Sequence, residues 1–388
     1  MKIAADWLSA PGVQTICATL GAAGHQALLV GGCVRNALIG APVHDIDIAT
    51  DAPPDAVLAL MRAAGLAVVP TGITHGTVTV LHHGTPHEVT TFRRDLATDG
   101  RHATVAWGDD VTEDAGRRDF TMNALYADAA GQVFDPLGTG LADLRARRVR
   151  FIEDPARRIR EDYLRILRFF RFHAWYGDPA AGMDPDALAA IADHLGGLSG
   201  LSRERVGSEV MRLLAAPDPA PAVAAMRGCG VLMALLPGAD DRALAVLVHL
   251  EQAQGVPADP LRRLASLGGH DLAETLRLSR ADARRLALYR RETGSGAGPG
   301  ALGYRLGAGA ALDTLLLRAA LMGQEVAPDD RAAARAGAAA RFPLRAADLM
   351  PGLTGPALGR RLATLEEAWI ASGFSLTRDQ LLTLDPPD

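Results

Sequence analysis

ALLVGGCVRNALIGAPVHDIDIAT, residues 27–50, decides the fold. The run 27–30 is short, apolar and followed at once by two glycines, so it reads as a buried strand entering a turn. CVRNALI after the glycines reads as a helix. The alternation of 45–48 reads as a half-buried strand, with Ile46 and Ile48 facing inward and Asp45 and Asp47 sharing the other face. Two carboxylates on one face repel unless a cation lies between them, and oxygen donors of this kind suit Mg²⁺ alongside phosphate. Gly31 and Gly32 let backbone approach an anion at a helix start, and Arg35 is one turn further on. Either feature alone reads as a surface turn or an acidic edge; together they read as a phosphate and metal site. The spacing GxxxxGK[ST] is missing, and so is G-x-G-x-x-G with later βαβ units, which excludes a P-loop hydrolase and a dinucleotide fold.

Outward from this stretch, residues 3–20 predict a leading helix, Pro53 and Pro54 start one through Ala64, and 66–70, 77–83 and 87–92 predict strands. Arg94 to Gly116 predicts a loop or a mobile flap. After about Phe151 alternation gives way to helical periodicity, with helices near 156–174, 184–195, 202–215, 220–228, 241–253, 259–267, 280–291, 303–322, 328–341 and 355–371. The expected class is α+β: a small mixed α/β head over 1–140, a helical neck over 141–215, and an elongated helical body and tail over 216–388.

The composition is that of a globular protein: 388 residues, 48% hydrophobic and 22% charged. A disordered chain, a fibre and a disulfide-stapled miniprotein are excluded. Cys17, Cys33 and Cys229 have no metal-knuckle spacing, the first ten residues do not read as a signal peptide, and no run of about 18 apolar residues exists, so a cytoplasmic protein off the membrane is expected. Net charge is −5, yet Leu141 to His173 holds ten arginines against five acids. Arg145, Arg147, Arg148, Arg157 and Arg168 in that cluster are candidates for RNA phosphate.

The residues VGGCVRNALIG–DIDIAT, EVTTFRRD, RRDFTMNAL, DPLGTGLADL, and RRIREDYLRILRFFRF with LSRERVGSE behind it resemble, in order, the motifs of the bacterial class II tRNA nucleotidyltransferase and poly(A) polymerase family, within the DNA polymerase beta-like superfamily. The resemblance is strong over 26 to about 212 and weaker over 348–374. It departs at Asn36, where the family often has Asp. It implies CCA addition to tRNA with CTP and ATP, without a nucleic-acid template, and release of pyrophosphate. Asp45 and Asp47 would hold two Mg²⁺ ions and Glu88 would be the third carboxylate, in competition with Asp95 and Asp119. Gly31, Gly32 and Arg35 would cradle phosphates, and Arg117, Arg118, Asp119 and Asn123 would meet triphosphate and sugar.

Asp162 and Arg165, three residues apart on a predicted helix, would share a face. A carboxylate accepts from an exocyclic amino group and a guanidinium donates to a ring nitrogen or carbonyl. That pair fits cytosine and adenine and rejects uracil and guanine. Glu161 would brace Arg165 or a neighbouring helix, and Ser202 would cap the helix behind. A poly(A) polymerase, a CC-adding or A-adding enzyme, and an inactive RNA-binding protein are the alternatives, and the oligomeric state is open between monomer and homodimer. The His270–Asp271 pair reads as coincidence rather than a phosphohydrolase module.

Overall fold

The computed structural model describes residues 1–98, 103–350 and 352–384, and divides the chain into two compact units, Met1–Pro237 and Gly238–Asp388. The division lies at neither 140/141 nor 215/216, because the helices between residues 155 and 235 belong to the first unit.

In the first unit, helix α1 (Pro11–Ala22) precedes strand β1 (Ala27–Val30), α2 (Gly32–Ile39), β2 (Asp47–Thr50) and α3 (Pro54–Ala63). Strands β3 (Ala67–Gly72), β4 (Thr77–His82) and β5 (Thr85–Thr91) follow. The chain then forms β6 (Arg93–Thr98), β7 (Ala103–Trp107), α4 (Val111–Gly116), β8 (Tyr126–Ala127) and β9 (Val133–Phe134). The main sheet has the order β3-β4-β5-β2-β1-β8-β9. It is antiparallel except where β2 lies parallel to β5, which sets Asp47 opposite Glu88. Strands β6 and β7 pair with each other. Among the described residues, the expected loop over 94–116 therefore holds most of β6, all of β7 and helix α4.

Helices α5 (Gly140–Arg145), α6 (Pro155–Glu161), α7 (Leu164–Tyr176), α8 (Pro185–Asp193), α9 (Arg203–Leu214), α10 (Ala220–Gly228) and α11 (Val231–Leu235) complete the unit. Asp154 caps α6 by accepting from the Arg157 amide (2.6 Å), with Pro155 in the first turn where its missing N–H costs nothing. The apolar face of α7 buries Ile166, Leu167, Phe169, Phe170 and Phe172. Phe151 stacks on Phe169 at 5.5 Å, and Phe120 meets Phe151 and Phe172 at 5.0 and 5.1 Å. Such rings bury large apolar area, and this cluster joins the segment 118–123 to α7.

In the second unit every described element is helical: α12 (Arg242–Ala253), α13 (Pro260–Leu267), α14 (Leu272–Thr275), α15 (Arg280–Thr293), α16 (Pro299–Leu306), α17 (Ala308–Met322), α18 (Pro328–Ala339), α19 (Gly355–Ala371), α20 (Arg378–Leu382) and a short 3₁₀ turn, Ala346–Leu349. The helix predicted over 303–322 is two helices, because Gly307 between them has φ +81°. A Cβ on Gly303 would lie 1.9 Å from the Ala334 carbonyl oxygen, so only glycine lets α16 and α18 approach this closely. Leu344, Leu365, Trp369 and Leu381 form a small core around α19. No helix among the described residues is long and apolar enough to cross a membrane.

Candidate nucleotide site

A cleft of about 440 Å³ in the first unit is lined by Gly31, Gly32, Arg35, Asp47, Arg117, Arg118, Asp119, Asn123, Asp162, Leu164, Arg165, Arg168, Phe172 and Arg205. The fold thus brings every residue expected to meet the nucleotide to one opening.

The turn between β1 and α2 forms one wall. Gly31 has φ +73°, a conformation that side chains rarely adopt, and its amide donates to the Leu125 carbonyl at 3.1 Å. A Cβ there would come within 3.4 Å of Arg118 Nη1. Gly32 opens α2, and no side chain caps its first turn, where an α-helix leaves amides without intrahelical partners. Arg35 is 6% exposed and well occupied: Asn36 Oδ1 accepts from its Nε and Nη2 (3.1 and 2.8 Å), Asn123 Oδ1 from Nη1, and the Tyr176 hydroxyl oxygen from Nη2 (2.9 Å). Its guanidinium also lies 4.0 Å from the Tyr176 ring centroid. Asn36, at the family's Asp position, spends its amide on the Pro42 carbonyl (2.7 Å), and so ties α2 to the segment leading into β2.

Strand β2 begins at Asp47, not at residue 45. Asp45 is exposed and precedes the strand, so strand alternation does not place the two aspartates. What assembles the carboxylates is the sheet: Asp47 is in register with Glu88 on β5. Burial pushes the Asp47 carboxyl above the usual carboxylate range, Glu88 raises it further, Arg118 opposes, and Asp45 adds to the rise. Hard oxygen donors crowded at one sheet rim fit a divalent cation better than they fit each other. Among the described residues, no group of three or more His, Cys, Asp or Glu side chains is assembled around one point. The side chain of Asp95, the other candidate third carboxylate, lies outside the described residues. Asp119 is used elsewhere.

The segment 114–123 supplies the opposite wall. Asp114, 1% exposed, accepts from Arg117 Nε (2.8 Å), Arg118 Nη2 (3.0 Å) and the Tyr126 hydroxyl (2.6 Å). Asp119 accepts from Asn123 Nδ2 (2.8 Å), the Phe120 amide (2.8 Å) and Arg168 Nε (2.8 Å). Burial alone would raise both carboxyls; the arginines overcome it and hold each near about 2. Arg168, expected on an RNA-facing surface, instead lines the cleft as the partner of Asp119. Arg145, Arg147, Arg148 and Arg157 are exposed.

The predicted helix over 156–174 breaks inside the motif expected to read the base. Asp162 is extended (φ −153°, ψ 106°) between α6 and α7. Its Oδ1 accepts from the Leu164 amide (3.0 Å) and its Oδ2 from Arg205 Nη2 (2.6 Å). Asp162 and Arg165 are therefore not an i, i+3 pair on one helix face; the break swings both to the cleft. Glu161 does brace Arg165, at 2.7 Å. Arg205, capped into place by Ser202 (3.4 Å to its amide), and Phe172 also line the cleft. Arg205 could have been found in the sequence only by asking which cation holds a carboxylate that leaves its helix.

Residues 27–150 match the poly A polymerase head domain, and residues 182–242 match a family described as the probable RNA and SrmB-binding site of polymerase A. Human mitochondrial CCA tRNA nucleotidyltransferase 1 is 41% identical over 191 residues, which cover 49% of this chain and 44% of that protein. The CCA-adding enzyme of Lacticaseibacillus paracasei is 43% identical over 203 residues, 51% of this chain and 48% of that one. The chain thus spans about half the length of the curated relatives it matches. The crystal structure of Bacillus stearothermophilus CCA-adding enzyme in complex with CTP is similar with a TM-score of 0.75 at 28% identity, covering 93% of both chains.

Proposed function

We propose, from the match of residues 27–150 to the poly A polymerase head domain, that the chain adds C, C and A stepwise to the 3′ end of tRNA from CTP and ATP, without a nucleic-acid template. The observation that carries the reading is one cleft that gathers a glycine turn, Asp47 and the side chains of Asp162 and Arg165. The relatives' names and the CTP complex of the similar crystal structure support the substrate class.

The turn at Gly31 and Gly32 receives phosphate oxygens, and Arg117 and Arg118, fixed by Asp114, present positive charge to them. Asp45 and Asp47, with Glu88, would hold two Mg²⁺ ions, which when bound lower the pKa of the attacking 3′-hydroxyl and neutralise the leaving pyrophosphate. Asn123, oriented by Asp119 and Arg35, meets the sugar. Asp162 and Arg165 keep spare capacity after their protein contacts, since each carboxylate oxygen accepts twice and a guanidinium carries five N–H donors. The carboxylate accepts from the amino group shared by cytosine and adenine; the guanidinium donates to the neighbouring ring nitrogen. Arg145, Arg147, Arg148 and Arg157, which are exposed, would meet tRNA phosphates.

The test uses tRNA lacking CCA, tRNA ending in CC and an unstructured RNA, each with one triphosphate at a time. The reading expects two C additions and then one A on tRNA. A long A tail on the unstructured RNA without use of CTP overturns it; addition of only CC or only A narrows it. Asp162→Ala and Arg165→Ala should raise the use of UTP and GTP relative to CTP and ATP by about tenfold or more. Equal slowing of all four nucleotides would make the pair structural and place base reading elsewhere.

A further inference from the structure

Arg158 is absent from the lining of the cleft, yet its side chain is 3% exposed and grips both of the cleft's working parts. Its Nη2 donates to the backbone carbonyls of Arg117 and Arg118, and its Nη1 to Glu161. Glu161 also accepts from Arg165 Nη1 (2.7 Å), and the Arg158 carbonyl accepts from that same nitrogen (2.9 Å). Arg165 Nη2 reaches the Arg117 carbonyl as well (3.2 Å). One peptide oxygen, at the start of Arg117-Arg118-Asp119, is thus held by two guanidiniums, and one of these belongs to the residue that reads the base.

A cation in this place is expensive. Burial, with Arg165 adding repulsion, pushes the Arg158 guanidinium down to about 10, and its Nε is buried without a partner. A helix could be anchored there by an apolar side chain without that penalty. What an apolar residue could not do is hold two successive carbonyls with one prong of a planar fork and Glu161 with the other.

We infer that Arg158 is a positioning residue that couples base recognition to the triphosphate segment: when a base engages Arg165, the shared grip of Arg165 and Arg158 on the Arg117 carbonyl sets Arg117 and Arg118 for the phosphates. This rests on the proposed nucleotide transfer and deepens it, because selectivity then resides in the rate of transfer as well as in binding. A nucleotide that leaves Arg165 unengaged leaves the segment 117–119 out of place even when it occupies the cleft.

The test variant is Arg158→Lys, which retains the charge and the stem but replaces the fork with a single ammonium group. For CTP and UTP on tRNA lacking CCA, kcat and KM are measured separately. Coupling expects kcat for CTP to fall by about tenfold or more, kcat for UTP to fall much less, and KM for CTP to change little. In parallel, hydrogen exchange of peptides covering 111–125 is followed with CTP or UTP bound. Coupling expects CTP to protect this segment more than UTP in the wild type, and the difference to vanish in Arg158→Lys. Arg165→Lys and the double variant complete a cycle, with the double variant no slower than the worse single one. Equal loss for CTP and UTP, additive effects, or a CTP-specific protection that survives Arg158→Lys each overturn the inference. If the wild type transfers neither CMP nor AMP, the functional reading fails, and the exchange measurement still decides the coupling.

Discussion

Each unit contains a network of arginines and carboxylates, and the two differ in what they leave over. In the second unit Glu251 accepts from Arg262 (2.9 and 2.6 Å) and Arg263 (2.8 Å), and Arg262 reaches Asp313 (2.5 Å). Arg285 joins Asp259 and Asp313, and the Tyr289 hydroxyl donates to Asp313. Three arginines meet three carboxylates, and Glu251, Arg262 and Arg263 are buried. In the first unit the residues lining the cleft include six arginines against three aspartates. Asp114, Glu161 and Glu209 behind them take up part of that excess. A closed balance holds helices together, whereas a surplus of one sign beside a glycine turn is a place for an anion of the other sign.

The sharpest break between the two networks should come from the carboxylate rim. Asp47→Ala should reduce nucleotide transfer by about a thousandfold or more, and Asp45→Ala likewise, with tRNA binding nearly unchanged. Single-turnover transfer and a filter-binding assay measure the two, with circular dichroism confirming the fold. If Asp45→Ala retains substantial Mg²⁺-dependent transfer, the exposed aspartate is outside the ligand set and Asp47 with Glu88 carries it.

The second unit should fail in the opposite way. Glu251→Gln keeps the shape and leaves Arg262 and Arg263 buried with too little negative charge. The expected loss is about 3–5 kcal/mol of stability by denaturant unfolding, while the transfer rate per folded molecule on a saturating short acceptor is retained. A stable Glu251→Gln protein would show that the network is not balanced by this carboxylate.

These two experiments bear on different degrees of legibility in the sequence. Boundaries marked by proline and glycine were readable: the helices over 220–228 and 355–371 fall where the sequence places them. The glycine turn was readable too, since a positive φ needs glycine locally. The break at Asp162 was not, because the apolar period runs on through it. What stabilises the extended Asp162 is Arg205, 43 residues away. Likewise Asp45 and Asp47 alternate as a strand would, yet the sheet ladder starts only at Asp47, where β5 and β1 supply partners. Arg168 read as a surface cation from local composition; its partner Asp119 lies 49 residues back. In each case a partner distant in sequence decided what a local pattern could not.

Acid should separate the networks less strongly. Asp114 and Asp119 have folded-state pKa values lowered to about 2, below their usual 3.8. Depressed carboxylates stabilise the fold fully above the unfolded value, and that contribution disappears as pH falls through the folded one. Stability should therefore decline between about pH 4 and pH 2, by about 2 kcal/mol for each group. Asp119→Asn should be less stable at neutral pH and show a shallower decline on acidification. An unchanged slope would mean that Arg168 does not hold the Asp119 carboxylate in the folded protein.

The smallest effect concerns two adjacent arginines that the sequence does not distinguish. Arg158 is buried against carbonyls, whereas the Arg157 side chain is 61% exposed and touches Glu153 at 3.0 Å and Glu161 at 3.3 Å. Exposed pairs gain little over hydration and are screened by salt, so Arg157→Ala should change stability by less than about 1 kcal/mol. Its worth lies in the partner: if Arg157 meets a tRNA phosphate, its loss removes one displaced counterion. The slope of log binding constant against log salt should then shrink by about 0.7–0.9, with the relative use of the four triphosphates unchanged. An unaltered salt slope removes Arg157 from the RNA surface. A change in nucleotide selectivity would show that the neighbour, too, reaches the cleft through Glu161, and that the division between paired and surplus charge falls one residue earlier on α6.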